Sequence, residues 1–253
     1  MYSMKKTTIL SLSLIAFFCL LVFNQCKVAD GKVTVDINAK PFEKLSEYHF
    51  FKGKLNDLLP NDKVLPYDLI TALFTDYAHK SRFVWMPEGT AAAYTKDEVV
   101  DFPVGAVLIK NFYYPNDFRD ESKGRKIYET RLLVKRKDNW DALTYVWNDE
   151  QSDAELSIVG DNKNVSCIDI HGEKMNLNYS VPNKNQCKNC HNLNNVQMPI
   201  GPKVRYLNKE FNFADGKKNQ LEKWTEVGYL TGYKKEENID NKIADAFDQR
   251  AAL

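Results

Sequence analysis

The chain has 253 residues, of which 43% are hydrophobic and 27% are charged. This balance is typical of a folded protein with a core and excludes wholesale disorder. Lysine plus arginine (35) nearly equals aspartate plus glutamate (34), so the formal net charge of +1 argues against a nucleic-acid-binding body. The five cysteines are too few for a disulfide scaffold in a chain of this length.

The first 25 residues have the composition of an export signal. Lys5 and Lys6 make a basic start, and residues 9–23 carry no charge. Such a run is short for a membrane span and matches the apolar region of a signal peptide. Cys26 follows directly, as in bacterial lipoprotein signals, although the two residues before it are larger and more polar than usual. We therefore expect export to the periplasm or cell surface with a lipid anchor on Cys26; the alternatives are a plain cleaved signal and an uncleaved anchor.

The next part of the chain predicts an extended lead-in and then a helix. Residues 26–60 mix polar and apolar residues without strong periodicity, which indicates an extended segment. A helix is predicted over residues 66–79 because Pro66 suits a first helical turn and apolar residues recur at helical spacing. These apolar residues are Leu69, Ile70, Leu73 and Tyr77.

Alternating apolar and polar residues then predict an antiparallel sheet. The predicted strands cover residues 83–86, 107–113, 128–134, 143–147, 154–158 and 165–170. Polar turns at 137–139 and 148–150 have hairpin length, which favours a meander. Residues 61–180 are accordingly predicted to form an α+β domain built on an antiparallel β-sheet with flanking helices.

Residues 181–253 are predicted to form a separate C-terminal segment of loops and helices. Asparagine, glycine and proline interrupt residues 182–202, so we expect a loop-like stretch without a long helix or strand. A short helix is predicted around Leu221 and Trp224, ending near Gly228. Apolar residues every four positions predict a C-terminal helix, with Ile239, Ile243, Phe247 and Ala251 on one face.

The sequence Cys187-Lys188-Asn189-Cys190-His191 is a C-x-x-C-H motif, which is the attachment sequence for c-type haem. Its two thiols form thioether bonds with the haem vinyl groups, and the histidine becomes an axial ligand of the iron. We predict one covalent haem c on Cys187, Cys190 and His191. Three alternatives are a redox-active dithiol, half of a zinc site and a strained local disulfide. Cys167, on an alternating strand, is interpreted as a small buried core residue.

The second axial ligand of the iron decides between two kinds of haem chemistry. Methionine or histidine at that position makes an electron-transfer centre, whereas an open position lets small ligands bind. Met198, seven residues beyond the motif, and His171 are the candidate distal ligands. Met198 packed on the haem edge is an equally good interpretation. Met175 is a further option, whereas His49 and His79 are interpreted as surface or helix histidines.

Together with the C-x-x-C-H motif, several other segments of the chain resemble a bacterial family of exported diheme c-type cytochromes. The similar segments, in order, are 66–69, 73–78, 102–105, 109–110, 129–133, 145–148, 153–154, 187–191, 201–203 and 207–208. The resemblance covers about residue 45 to the C-terminus and implies haem attachment at Cys187 and Cys190 with His191 as axial ligand. The family continues into a second C-x-x-C-H domain, so we expect this chain to be either truncated or a one-haem form.

A fainter resemblance is to cytochrome P460 proteins, in which a β-sheet precedes a C-terminal haem motif. Those proteins are enzymes with a lysine cross-linked to the haem, and Lys110 is the nearest candidate by position, although a lysine on an exposed strand is usually just solvated. An electron-transfer protein with an unknown redox partner is favoured over a P460-type enzyme that oxidises a small nitrogen compound. A haem-based sensor or accessory binding protein is the third hypothesis.

Overall fold

The computed structural model describes residues 31–71, 73–96, 98–193 and 196–235, without the side chains of residues 188–190 and 193. Described residues from Lys32 onward belong to one compact unit. The predicted signal peptide, the predicted lipidation site Cys26 and the predicted C-terminal helix lie outside the described residues. None of the helices in the described ranges is long and apolar enough to cross a membrane.

The described chain is mainly β-structure, with three short α-helices. The strands are β1 Phe51–Lys52, β2 Leu59–Pro60, β3 Leu65–Tyr67, β4 His79–Trp85, β5 Ala92–Ala93, β6 Val107–Pro115, β7 Arg125–Lys135, β8 Trp140–Trp147, β9 Ala154–Leu156, β10 Asp161–Ile168, β11 Lys174–Val181, β12 Asn192–Leu193, β13 Val196–Gln197, β14 Glu210–Phe213, β15 Gly216–Asn219 and β16 Leu230–Thr231. The helices are α1 Lys184–Cys190, α2 Val204–Leu207 and α3 Gln220–Glu226, and short 3-10 helices cover Leu45–Tyr48, Leu55–Asp57 and Glu121–Lys123.

Six strands form the main sheet in the order β3-β4-β6-β7-β8-β9, and every neighbouring pair is antiparallel. The predicted antiparallel sheet is therefore confirmed. Strands β10 and β11 form a separate hairpin. The second of these was not predicted, although Met175, Leu177, Tyr179 and Val181 alternate with polar residues as a half-buried strand requires.

One face of the main sheet is covered by the N-terminal segment. Ile109, Leu132 and Tyr145 point to this side and belong to a buried cluster that also contains Tyr48 and Phe50. The hydroxyl groups of Tyr145 and Tyr48 are hydrogen bonded at 3.0 Å. The segment predicted to be extended thus contains the first 3-10 helices and supplies part of the core.

The other face carries two apolar clusters. The second cluster includes Val84, Leu108 and Trp224, and the third includes Phe112 and Tyr179. Side chains alternate between faces along a strand, so residues two positions apart share a face. Lys110 lies on this face between Leu108 and Phe112, so it has an apolar cluster on each side along β6.

The helix predicted over residues 66–79 is wrong. Pro66 instead pairs with Phe83 in β3 and β4, and no described residue from 68 to 78 is helical. The backbone of Asp76 and Tyr77 has positive φ angles of 40° and 64°, which a right-handed helix does not allow. Of the apolar stripe, Leu69 is buried in the core, whereas Leu73 and Tyr77 are each 63% exposed.

The predicted short helix near Trp224 is confirmed as α3. Trp224 is fully buried and contacts Tyr67 edge to face. Gly228 follows the helix with a φ of 77°, a conformation in which glycine avoids the strain of a side chain.

Candidate haem-attachment site

The Cys187–His191 motif begins inside α1, so the expectation of loop-like surroundings is wrong at this point. Asn183 caps the helix, because its side chain accepts hydrogen bonds from the backbone of Asn185 and Gln186 at 3.0 Å each. Gln186 in turn accepts from the backbone nitrogen of Asn183 at 2.9 Å. This reciprocal cap satisfies amide groups that a seven-residue helix would otherwise leave unpaired.

Helix α1 packs against β8 and buries the first cysteine of the motif. Cys187 is 6% exposed, and its Sγ lies 3.9 Å from Oγ1 of Thr144 on β8. The backbone nitrogen of His191 donates to the Cys187 carbonyl at 3.1 Å. The motif therefore makes one helical turn with its first thiol facing the sheet and its histidine at the helix end. The Cys190 side chain lies outside the described atoms.

His191 is held by the hairpin of β12 and β13. The Met198 nitrogen donates to the His191 carbonyl at 2.9 Å, and the His191 Nδ1 lies 3.2 Å from the Met198 carbonyl oxygen. A carbonyl oxygen can only accept, so this contact requires the proton on Nδ1. In a neutral imidazole the other nitrogen, Nε2, then carries the lone pair that can bind a metal ion.

The environment of His191 favours the neutral ring. Burial lowers the pKa of its imidazole below the ordinary value, and the positive charges of Lys110 and Arg131 act in the same direction. The hydrogen bond to Met198 opposes these effects without reversing them. This lowering of the His191 pKa favours the neutral form of the ring, which is the form that binds a metal ion.

Beneath this helix, charged residues cross the sheet in register. Arg82 pairs with Lys110, and Lys110 pairs with Arg131, which is the neighbour of Thr144. Lys80 precedes Arg82 by two residues and so shares its face. We call Lys80, Arg82, Lys110 and Arg131 the cationic band; it lies on the face that carries the second and third clusters.

Carboxylates compensate part of this charge. Arg82 binds Asp68 at 2.7 Å, and Lys209 contacts the second oxygen of the same carboxylate at 3.1 Å. Arg131 binds the fully buried Glu129 at 2.5 Å, and that carboxylate also accepts from the Tyr179 hydroxyl group. The two arginines of the band are thus paired, whereas its lysines make different contacts.

Both lysines of the band are partly buried. Burial lowers the pKa of Lys110 to about 7 and that of Lys80 to about 8, and the charges of Arg82 and Arg131 add to both shifts. The Lys110 Nζ lies 4.7 Å from the centre of the Phe112 ring, and the Arg131 guanidinium lies 4.2 Å from the same ring. The expectation that Lys110 is an ordinary solvated strand lysine is therefore wrong.

The candidate distal ligands lie in different places. The Met198 side chain packs against the second apolar cluster, while its backbone binds His191. His171 is exposed in the turn between β10 and β11, at the end of this hairpin that is opposite to α1. No described contact joins His171 to His191, and iron ligation by either candidate stays a prediction.

The other residues considered for the site have structural surroundings. Cys167 is buried in the third cluster, as predicted, and faces the partly buried Met175 across the hairpin. His79 lies on β4 with its Nδ1 3.2 Å from Glu121. His49 is exposed at the end of a 3-10 helix. The role of His79 and His49 as ordinary structural or surface residues agrees with these positions.

The donor types of the motif match those that a c-type haem needs, although the Cys187 thiol faces β8 in the described arrangement. His191 offers a basic Nε2, Cys187 precedes it by one turn, and apolar clusters flank the sheet below. The amide nitrogen of Gln197, next to Met198, is buried without a hydrogen-bond partner within the described residues. Arg205 Nε and Trp224 Nε1 are unpaired in the same way among the described residues, so the Gln197 amide does not by itself mark a ligand.

A cavity of about 800 Å³ lies elsewhere on the molecule. Its wall includes Pro60, Met86, Phe213 and Tyr229 but neither Cys187 nor His191. The site chemistry therefore depends on the motif and the sheet face below it rather than on this cavity. Among the described side chains no group of three or more His, Cys, Asp or Glu residues could hold a metal ion.

Comparison of the chain with protein-family models, with curated proteins and with solved structures finds no match.

Proposed function

We propose that the protein is an exported c-type cytochrome that carries one covalent haem and transfers electrons. The observation that supports this most directly is the C-x-x-C-H motif at Cys187–His191, with the Nδ1 of His191 held by the Met198 carbonyl at 3.2 Å. That hydrogen bond orients the ring and directs Nε2 away from the hairpin. No pattern of zinc-finger or βαβ dithiol type accompanies the cysteines.

Each residue of the motif has a role in this proposal. Cys187 and Cys190 attach the haem covalently, so the cofactor stays bound in an open compartment. His191 would bind the iron, and its burial and the nearby charges of Lys110 and Arg131 lower its pKa and so favour the neutral ring. The haem supplies one-electron chemistry by cycling between ferric and ferrous iron, while burial and hydrogen bonding by the chain set its potential.

Export and anchoring complete the proposed function. The basic start at Lys5 and Lys6, the uncharged run 9–23 and the following Cys26 support a lipoprotein signal. A lipid on Cys26 would place the haem at a membrane surface facing the periplasm or the outside of the cell. The redox partner would then be another protein of that compartment.

The test is maturation of the protein with the c-type haem machinery, followed by denaturing electrophoresis and a stain for bound haem. We expect haem that resists acid and organic extraction in the wild type. Cys187→Ala should remove most of it, whereas Cys167→Ala, the matched change of the other buried free cysteine, should retain it. Wild-type protein without covalent haem would overturn the proposal.

A haem enzyme is the second candidate, and the position of Lys110 favours it. Lys110 lies on the sheet face below the motif, its charge acts on His191, and burial lowers its pKa to about 7. A lysine that is substantially neutral near pH 7 is a better nucleophile than a solvated one. This is the residue type that P460-like enzymes join to their haem.

Two measurements separate the candidates. An electron carrier with two axial ligands should give a low-spin ferric spectrum and no fast reaction with nitric oxide or hydroxylamine. An enzyme should give a high-spin spectrum and bind these molecules rapidly. Peptide mass analysis would in addition detect a haem cross-link at Lys110, which Lys110→Arg should abolish.

A further inference from the structure

The cationic band has more positive than negative side chains around it. Lys80, Lys110 and the two arginines are joined by Lys209, which binds Asp68. The carboxylates that act on this group are Asp68, Glu129 and Asp76. Among the described residues, five cations thus meet these three carboxylates, in a chain whose formal net charge is only +1.

The excess resides on the two lysines. Each arginine of the band has a carboxylate partner, at 2.7 Å for Arg82 and 2.5 Å for Arg131. Lys80 donates to the Ala78 carbonyl at 3.0 Å, and Lys110 lies over the Phe112 ring at 4.7 Å. Neither contact supplies a negative charge, so an anion bound here would favour the charged form of both lysines.

The band also lies next to the proposed haem site. Arg131 is the cross-strand neighbour of Thr144, whose hydroxyl group lies 3.9 Å from the Cys187 thiol. Lys110 and Arg131 act electrostatically on His191. Arg131 and Lys110 therefore lie near the motif, and Lys80 continues the band on the same sheet face.

We propose that Lys80 and Lys110 form an anion site that binds the two carboxylates of the haem, with Arg131 positioning Lys110 through the shared Phe112 ring. This inference rests on the proposed function. Haem is an apolar ring with two carboxylates on one edge, so it matches a surface in which apolar clusters flank a row of cations. The shared chemistry is an oxyanion, which the haem or a free anion could supply.

The experiment uses the haem-loaded protein and the variants Lys80→Met and Lys110→Met. Lys126→Met is the control, because Lys126 loses the same charge on β7 but pairs with the exposed Asp149. We expect all variants to keep covalent haem, since the thioether bonds do not involve lysine. The ratio of ferric to ferrous haem at a fixed ambient potential should rise about tenfold in each band variant, because a nearby cation disfavours the more positive iron.

Two further measurements identify the anion. The vibrational bands of the haem carboxylates in resonance Raman spectra should shift in Lys110→Met and return toward the wild type in Lys110→Arg, which keeps the charge. Nitrite added to the wild type should produce no saturable change that depends on Lys110. Such a change would show that a soluble anion occupies the band and would overturn the assignment to haem carboxylates.

The two proposals fail in different ways. Full haem content with wild-type redox ratios and carboxylate bands in both lysine variants would overturn this inference alone. Absence of covalent haem from the wild type would overturn the proposed function and this inference with it. If the Lys110→Met protein does not fold, the Lys80→Met protein tests the proposal alone and must show the redox change.

Discussion

The side chain of Gln220 forms hydrogen bonds with both backbone groups of Asp68, across 152 residues of sequence. Its Oε1 accepts from the Asp68 nitrogen at 2.6 Å, and its Nε2 donates to the Asp68 carbonyl at 2.9 Å. A third bond joins Nε2 to the Leu207 carbonyl at 2.9 Å. Gln220 therefore fixes the start of the loop after β3, and through it the carboxylate that pairs with Arg82.

Gln220→Ala should destabilise the fold markedly. Gln220 is fully buried, so the change leaves three backbone groups without a partner in a place that water reaches poorly. We expect a loss of about 3 kcal/mol in the free energy of unfolding, measured by urea denaturation. Gln186→Ala, which removes one exposed capping bond at α1, should cost about 1 kcal/mol or less. Equal effects of the two changes would contradict the role given to Gln220.

Gly160 lies against the segment that connects β11 to α1. Its φ is 77°, and an added Cβ would collide with the Val181 carbonyl oxygen and lie 2.9 Å from the Asn183 nitrogen. Gly160→Ala should therefore disturb the helix cap and lower haem incorporation. Gly53→Ala is the matched control, since Gly53 has a φ of 66° and open space around the Cβ position.

The two glycine variants separate backbone strain from collision. Gly53→Ala should cost about 1–2 kcal/mol from the left-handed backbone alone. Gly160→Ala should cost more, because the atoms it meets belong to backbone that cannot turn aside. Thermal unfolding and haem content would be measured on both, and similar values for the pair would show that the contact with Asn183 has no effect.

The ion pairs of Asp117 should make the stability of the fold depend on pH in the acid range. Hydrogen bonds from Arg119 and Lys123 hold the pKa of its carboxyl group well below the ordinary value of 3.8. A carboxyl group with a lowered pKa in the folded state stabilises that state above pH 3.8, and this contribution is lost as pH falls below that value. Asp117→Asn should therefore be less stable than the wild type at pH 6, with the difference shrinking as pH falls below 4.

The control for this prediction is Asp149→Asn. Asp149 also pairs with a lysine, at 2.8 Å from Lys126, but its side chain is 84% exposed. Exposed pairs contribute little to stability, so this variant should follow the wild type at every pH. Denaturation midpoints between pH 2.5 and 7 would decide the matter, and a constant offset for Asp117→Asn would refute the titration argument.

Met198→Leu tests the prediction that the Met198 thioether binds the iron. The backbone of Met198 lies on the Nδ1 side of His191, away from Nε2, and its side chain packs on the second cluster. This placement favours packing over ligation, so we expect the ferric spectrum to be unchanged and the stability to fall by less than about 1.5 kcal/mol. Conversion from a low-spin to a high-spin spectrum would identify Met198 as the distal ligand.

The sequence predicts the main sheet well because its strands alternate and its turns are short. The same reasoning fails for residues 66–79, where helical spacing of apolar residues coincides with a loop. There, backbone turns at Asp76 and Tyr77 and the distant bonds from Gln220 determine the path. Long-range contacts of this kind leave no local pattern to find.

The sequence likewise predicts only part of the candidate site. The C-x-x-C-H motif is contiguous, so the sequence alone groups Cys187, Cys190 and His191 as candidate residues. The cationic band is different, because Arg82, Lys110 and Arg131 lie on three strands and meet only through strand register. A prediction of exact register would be needed to bring them together, although period two on β7 already places Arg131 on the face of Glu129.

The burial of Cys187 constrains the order in which the protein can be assembled. A thiol that is 6% exposed and faces Thr144 cannot be reached by an enzyme that delivers haem. In a chain that receives haem, the vinyl bond must form while α1 is still undocked from β8. Haem attachment would thus compete with the docking of α1 onto β8, and docking that came first would leave a protein without haem.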